Sequence, residues 1–326
     1  MDTYKNILET MGNTPLIELT RYSPEGGLLL GKVESFNPGS SVKDRIGSAL
    51  IDHGEREGLL KPGGTIVEPT SGNTGLGLAM AAALRGYTLI CTAPDKISVE
   101  KIALLKAFGV EVITCPTQVS ADDSRSYYKV AERIRDEQGA YLPYQYHNQA
   151  NPEAHYDSTG PEIWRQTEGK ITHWVAGIGT GGTISGVARY LKEQNPDVQV
   201  VGVDTVGSIY AYYHKHRKLP PADQIHQYLI DGIGEDFMPD TVWWDSIDDV
   251  ITVSDRKAYQ AVLELSRKEA IFTGSSGGAA VVAARQVARD LSNDHVVVTL
   301  FPDSGERYLS KINDAWMSEQ DLLAPA

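Results

Sequence analysis

With 326 residues and a formal charge of −13, the chain is long enough for one large domain or two smaller ones, and it lacks the basic surface that nucleic-acid backbones require. No apolar run approaches the ~18 residues that cross a bilayer, and Met1-Asp2-Thr3-Tyr4-Lys5 lacks the apolar core of a signal peptide, so a cytoplasmic protein with no membrane partner is expected. Cys91 and Cys115 lie in apolar runs and make neither a disulfide framework nor a zinc site; the histidines show no ligand spacing, and no metal is expected.

After Gly12-Asn13-Thr14-Pro15, residues 28–33 read as a strand. Asn37-Pro38-Gly39-Ser40 is a turn signature, and Ser40 or Ser41 is placed to cap a helix whose apolar face is Ile46, Ala49 and Leu50. Lys43 then falls in the first turn, against the positive end of the helix dipole, which favours the neutral amine that Schiff-base chemistry needs. Lys43-Asp44-Arg45 would serve equally well as a wet charged face, so this stretch alone does not decide its role.

The helix is expected to end near Gly58, followed by a strand at 65–67, an alanine-rich helix to Arg85, strands at 88–92 and 110–114, and helices at 99–108 and 127–138. A second series begins near Asn151, with strands at 171–176, 198–204 and 296–301 and helices at 184–194, 256–269 and 279–291. Such alternation predicts an α/β fold of βαβ units in two lobes, with largely parallel sheets and binding loops at the strands' carboxyl ends. Residues 210–227, rich in Tyr, His, Lys and Pro and without a period, read as a loop or partner surface, and the tail from Ser318 is too short for another domain.

Three strand-to-helix junctions carry small residues: Pro69-Thr70-Ser71-Gly72-Asn73-Thr74-Gly75, Gly177-Ile178-Gly179-Thr180-Gly181-Gly182-Thr183, and Thr273-Gly274-Ser275-Ser276-Gly277-Gly278. At such junctions unpaired N–H groups converge with a helix dipole, and glycine lets an anion approach the backbone. Gly177 to Gly182 also fits G-x-G-x-x-G, with Asp204 about twenty residues on, so an NAD-dependent dehydrogenase is a competitor. A dinucleotide, however, leaves Lys43 and the other two junctions idle. A ligand with one phosphate, an aldehyde and an aromatic ring nitrogen would use all of them, and that ligand is pyridoxal 5'-phosphate.

On Gly-Asn-Thr-Pro at 12–15, Ser-Val-Lys-Asp-Arg at 41–45, Glu-Pro-Thr-Ser-Gly-Asn-Thr-Gly at 68–75 and Gly-Thr-Gly-Gly-Thr at 179–183, the chain resembles the cystathionine β-synthase and cysteine synthase family of fold-type II pyridoxal-phosphate enzymes. The resemblance runs from about Gly12 to Met317 and is closest to the catalytic core of the cystathionine β-synthases. It implies two three-layer αβα lobes like those of tryptophan synthase β: a large cofactor-binding lobe of 1–37 with 150–326 and a smaller mobile lobe of 38–149. It implies Lys43 as the Schiff-base lysine and catalytic base, Asn73 at the ring hydroxyl, Gly179, Thr180, Gly181, Gly182 and Thr183 as the phosphate cup, and Ser276 at the pyridine nitrogen. Thr70, Ser71, Gly72, Thr74 and Gln145 would hold the amino-acid carboxylate, with Tyr146 and Gly234 beside the substrate. By residue type alone, Asn73 and Gln145 serve as readily as turn and surface polar groups, Tyr146 as an amphipathic wall, and Ser276 as a helix cap.

The implied reaction is β-replacement on serine with a thiol: homocysteine would give cystathionine, whereas O-acetylserine and sulfide would give cysteine. Gln145-Tyr146 and Gly207-Ser208-Ile209 resemble the cystathionine synthases, while Ser304-Gly305-Glu306-Arg307-Tyr308-Leu309 is similar to a cysteine synthase ending. Asp231 and Glu235 depart from the glutamate and tyrosine usual in eukaryotic synthases. A homodimer is implied; a haem-binding extension and paired regulatory modules are not expected.

Overall fold

The computed structural model describes every residue except Asp2, Pro24, Ser71, Ala121 and 324–326. In chain order its elements begin with β1 (Leu16–Glu18), β2 (Leu28–Val33), α1 (Asp44–Arg56), β3 (Thr65–Pro69), α2 (Asn73–Arg85), β4 (Thr88–Pro94), α3 (Val99–Ala107), β5 (Glu111–Cys115) and α4 (Tyr127–Gln138). There follow α5 (Ala150–Asp157), α6 (Thr159–Gln166), β6 (His173–Gly177), α7 (Gly182–Gln194), β7 (Gln199–Thr205) and α8 (Tyr210–His216). The last are β8 (Asp249–Val253), α9 (Asp255–Glu269), α10 (Ser275–Arg289), β9 (Val296–Phe301) and α11 (Asp314–Glu319). Two compact units result, Met1–Met11 with Asn37–Asn151 and Gly12–Phe36 with Pro152–Ala326. Among the described residues no helix is long and apolar enough to cross a membrane.

In the first unit β3, β4 and β5 form a parallel sheet. Val67, Ile90 and Cys115 bury their side chains against Val130, Ala131 and Ile134 of α4, whose spacing gives one apolar face. Ser98 and Ser126 cap α3 and α4 through their side chains, and left-handed Gly86 and Gly139 end α2 and α4. Past α4 the chain returns along β3, where Tyr141 N–H donates to the Thr65 carbonyl and Val67 N–H to the Tyr141 carbonyl. That return sets the segment after Tyr141 beside the carboxyl end of β3. Helices α1 and α2 meet glycine to glycine: a Cβ on Gly47 would lie 2.3 Å from the Gly77 carbonyl carbon, and one on Gly77 would lie 2.5 Å from the Lys43 carbonyl oxygen.

The second unit holds a six-stranded sheet in the order β1-β2-β9-β6-β7-β8, parallel except for the β1–β2 pair. Val175, Val201, Val203, Val297 and Phe301 share a core with the small residues Ala279, Ala283 and Ala284 of α10. Because β6 has β7 on one side and the later β9 on the other, its carboxyl end lies at a topological switch point, where open α/β sheets bind ligands. Gly12-Asn13-Thr14-Pro15 is tied to this sheet through Lys32, which is fully buried in β2. Its ammonium donates to the Thr14 carbonyl (2.8 Å), Glu162 (2.7 Å) and Gln166 (2.9 Å), while the Thr14 hydroxyl donates to Glu34 (2.6 Å). Burying such a charge is tolerable because its hydrogens are paired.

Three expectations change. Residues 210–216 are helical, not loop: α8 carries a buried Tyr210, and the Asp204 carboxylate accepts the Ala211 N–H at 2.8 Å. Neither Ser40 nor Ser41 caps α1, because Lys43 itself is the N-cap. Ser276 is likewise no cap, since Gly274 occupies that position before α10. Four elements went unread in the sequence: α5, whose apolar residues favour no face, α6, and the short or half-exposed strands β1 and β8.

Candidate active site

The first unit gathers Lys43, Thr70, Gly72, Asn73, Thr74, Gln145 and Tyr146. Lys43 ends a tight turn in which Ser40 adopts a left-handed φ of 58°. The Asp44 carboxylate closes that turn by accepting the Gly39 N–H at 2.7 Å, and the Ser41 hydroxyl accepts the Lys43 N–H at 3.3 Å. No side chain caps α1, so its dipole is presented directly at Lys43, which is half-buried.

The junction after β3 is anchored at one end by Thr70, whose N–H reaches the Thr92 carbonyl at 2.9 Å and whose hydroxyl accepts the Gly72 N–H at 3.2 Å. Gly72 has φ 130° and would drive a Cβ to 2.8 Å from Lys101 Cδ, so only glycine suits it. Ser71 lies outside the described residues. Asn73 opens α2, and Thr74, one residue on, donates to Gln145 Oε1 at 2.6 Å. Gln145 is held on every side: its N–H by Glu68 (3.0 Å), its carbonyl by Asn151 (2.8 Å) and its amide NH2 by the Pro69 carbonyl (3.4 Å). Tyr146, half-buried, stands edge-on to Tyr128 with ring centroids 6.0 Å apart.

Glu68 went unnoticed in the sequence although it opens one of the quoted motifs. Fully buried, it accepts the N–H groups of Tyr144 (2.7 Å) and Gln145 (3.0 Å). Burial pushes its pKa up to about 8, with the two N–H donors pulling the other way.

In the second unit, the turn after β6 runs through Gly179, Thr180 and Gly181 into Gly182 and Thr183 of α7. Gly181 is the N-cap at φ 88°, and no side chain caps the helix. Close neighbours wedge the turn in place: a Cβ on Gly179 would meet the Gly232 carbonyl at 2.3 Å, and one on Gly181 would meet the Val242 side chain at Cγ2, also at 2.3 Å. The buried Tyr210 hydroxyl donates to the Gly179 carbonyl at 2.6 Å, and the Thr241 hydroxyl donates to that of Thr180. These two supports were also missed; Tyr210 was hidden in an aperiodic stretch. An uncapped helix start flanked by two threonine hydroxyls is a donor set that fits a phosphate dianion.

Gly234, at φ 81°, donates its N–H to the Ile178 carbonyl at 2.8 Å, bringing the 231–235 loop against the same turn. At the start of α10 the two serines divide their tasks. Ser275 accepts the Asp231 N–H at 3.0 Å, while Ser276, 4% exposed, makes no hydrogen bond through its hydroxyl among the described residues. Asp231 points its carboxylate at Lys311 (2.8 Å), and the Glu235 N–H donates to the Ser208 hydroxyl (3.1 Å). Asp204, which would have recognised a dinucleotide ribose, is buried and accepts the N–H groups of Thr205 and Ala211, both at 2.8 Å. Its carboxylate serves α8 instead.

Taken one unit at a time, a lysine on a helix start suits an aldehyde, and an uncapped glycine-threonine turn suits a phosphate. Residues 7–303 match the family described as "Pyridoxal-phosphate dependent enzyme"; the chain belongs to it, and pyridoxal phosphate is its cofactor. The chain is 43% identical over 329 residues to a cystathionine β-synthase of Apis mellifera, across 98% of this chain and 64% of that one. It spans 57–65% of the length of the curated relatives it matches. Among solved structures it is similar to an O-ureido-L-serine synthase (35% identity, TM-score 0.87, covering 97% of this chain and 99% of that one). It is also similar to an O-acetylserine-dependent cystathionine β-synthase from Helicobacter pylori (37%, 0.86, covering 95% and 99%).

Proposed function

We propose that the chain catalyses β-replacement on serine, or an activated serine, with a thiol, and that L-serine and L-homocysteine, giving cystathionine, are its substrates. The observation that carries this is Lys43 at the N-cap of α1 in a chain 43% identical to a cystathionine β-synthase across 98% of its length. When bound, pyridoxal phosphate supplies an aldehyde that condenses with amines and a ring that draws negative charge from the neighbouring carbon. Lys43 would hold the aldehyde, and its Nζ, once displaced by the substrate amine, would serve as general base for the α-proton. Gly179, Thr180, Gly181, Gly182 and Thr183 grip the phosphate, whose charge the α7 dipole opposes. Asn73 hydrogen-bonds the ring hydroxyl.

Ser276 would offer the ring nitrogen a neutral hydroxyl in place of a carboxylate, a partner that favours an unprotonated ring and so loss of a β-substituent over transamination. Thr70, Ser71, Gly72, Thr74 and Gln145 hold the amino-acid carboxylate, with Tyr146 and Gly234 bordering the substrate. The same proposal makes the enzyme a cytoplasmic homodimer with two lobes, the smaller one mobile.

A second reading, with O-acetylserine as the first substrate, is supported by the likeness to the Helicobacter pylori enzyme. Turnover of serine or O-acetylserine with homocysteine, measured against O-acetylserine with sulfide, tests all three pairings. Cystathionine formation is expected to be fastest from serine; faster cysteine formation from sulfide would overturn the substrate assignment. Lys43→Ala is expected to lose at least about 10³-fold in turnover together with the visible absorbance of lysine-bound cofactor.

A further inference from the structure

Behind the glycine-threonine turn lies a buried histidine that the proposed chemistry does not use. His155, in α5, is 0% exposed; its Nε2 is 3.2 Å from the Thr183 hydroxyl and its Nδ1 is 2.9 Å from the Thr159 hydroxyl, both of which are also buried. The ring is held there by close helix packing: a Cβ on Gly186 would lie 2.0 Å from the Pro152 carbonyl and 2.9 Å from His155 Cβ, so α5 and α7 meet one turn beyond Thr183.

We propose that His155 is a positioning residue for the cofactor phosphate, fixing the Thr183 hydroxyl as a donor to that dianion. This rests on the reading of Thr183 as part of the phosphate cup. A threonine hydroxyl has one hydrogen and two lone pairs, so it can give its hydrogen to an anion only if its other partner donates to it. A hydrogen on Nε2 meets that condition, and the Thr159 hydroxyl can keep it there by donating to Nδ1. The opposite tautomer would draw the Thr183 hydrogen toward the ring and turn a lone pair toward the phosphate, which is repulsive. The imidazole thus sets a proton's direction without touching the ligand.

The test compares His155→Leu, His155→Gln, Thr183→Val and the Leu/Val double variant. It measures the dissociation constant of pyridoxal phosphate from the apoprotein, the ³¹P resonance of the bound phosphate, and apoprotein unfolding. His155→Leu is expected to weaken binding roughly 5- to 10-fold and shift the resonance, and His155→Gln, which still offers an N–H, to recover most of the affinity. In the Thr183→Val background His155→Leu is expected to have less than about a twofold effect, because the hydroxyl it orients is gone. Equal losses in both backgrounds would reveal a purely structural histidine and overturn the proposal, as would unchanged affinity and resonance in His155→Leu. Normal affinity and resonance in Thr183→Val would overturn it through its premise, whereas a wild-type apoprotein that takes up no cofactor would instead sink the parent assignment.

Discussion

The junctions after β3 and after β6 have nearly the same composition but are held by different means. The Thr70–Thr74 segment is latched by side chains: Thr74 on Gln145, and Glu68 on the backbone of Tyr144 and Gln145. Its strained Gly72 faces the flexible stem of Lys101. The Gly179–Thr183 turn is wedged by close packing: a Cβ on Gly179 would lie 2.3 Å from the Gly232 carbonyl oxygen and one on Gly181 2.3 Å from Val242 Cγ2, and the Tyr210 and Thr241 hydroxyls bond two of its carbonyls. A latch made of hydrogen bonds can open and re-form at modest cost, whereas a turn packed this tightly leaves little room to move. The proposed division of labour matches: the latched loop receives a substrate that comes and goes, and the wedged turn holds a phosphate that stays.

The largest effect should come from breaking the wedge. Gly181→Ala combines a left-handed φ of 88° with the collision against Val242, and is expected to cost about 3 kcal/mol or more in apoprotein unfolding and to lower cofactor retention. Breaking the latch should cost less. Glu68→Gln sets an amide NH2 against a backbone N–H and is expected to destabilise by about 1–3 kcal/mol and raise the KM for the amino acid. It should also change the pH profile. With its pKa raised from 4.5 to about 8, wild-type Glu68 takes up a proton on folding between those values, so its contribution is complete below pH 4.5 and is lost as pH rises through 8. Unfolding measured across that window is expected to show a decline in wild type that Glu68→Gln flattens. The smallest effect, about 1 kcal/mol with a few-fold higher KM, is expected for Thr74→Val, which removes one neutral hydrogen bond.

The βαβ alternation and the three junctions were legible in the sequence because periodic apolar runs and glycine clusters are local signals. What supports those junctions was not. Glu68 looks like the exposed end of a strand until the return of the chain at Tyr141 brings the Gln145 N–H to it, a pairing across 77 residues. Tyr210 and His155 act through contacts 31 and 28 residues away, and neither sits in an amphipathic pattern that would have marked it. The serines before Lys43 suggested a side-chain cap, yet local turn geometry gave the cap position to the lysine. Sequence spacing alone also kept Asp204 available to a ribose; only its burial and its two backbone partners removed it.

The bare crossing of α1 and α2 has a bearing on how this scaffold can change. Since a methyl group at position 77 would press on the carbonyl of position 43, a mutation on the neighbouring helix would move the backbone of Lys43, the proposed Schiff-base residue, without altering any residue proposed to bind a ligand. Random mutagenesis aimed at new substrates should therefore tolerate more change at side-chain latches such as Thr74 than at this crossing, where variants at Gly47 or Gly77 should drop out of the surviving pool.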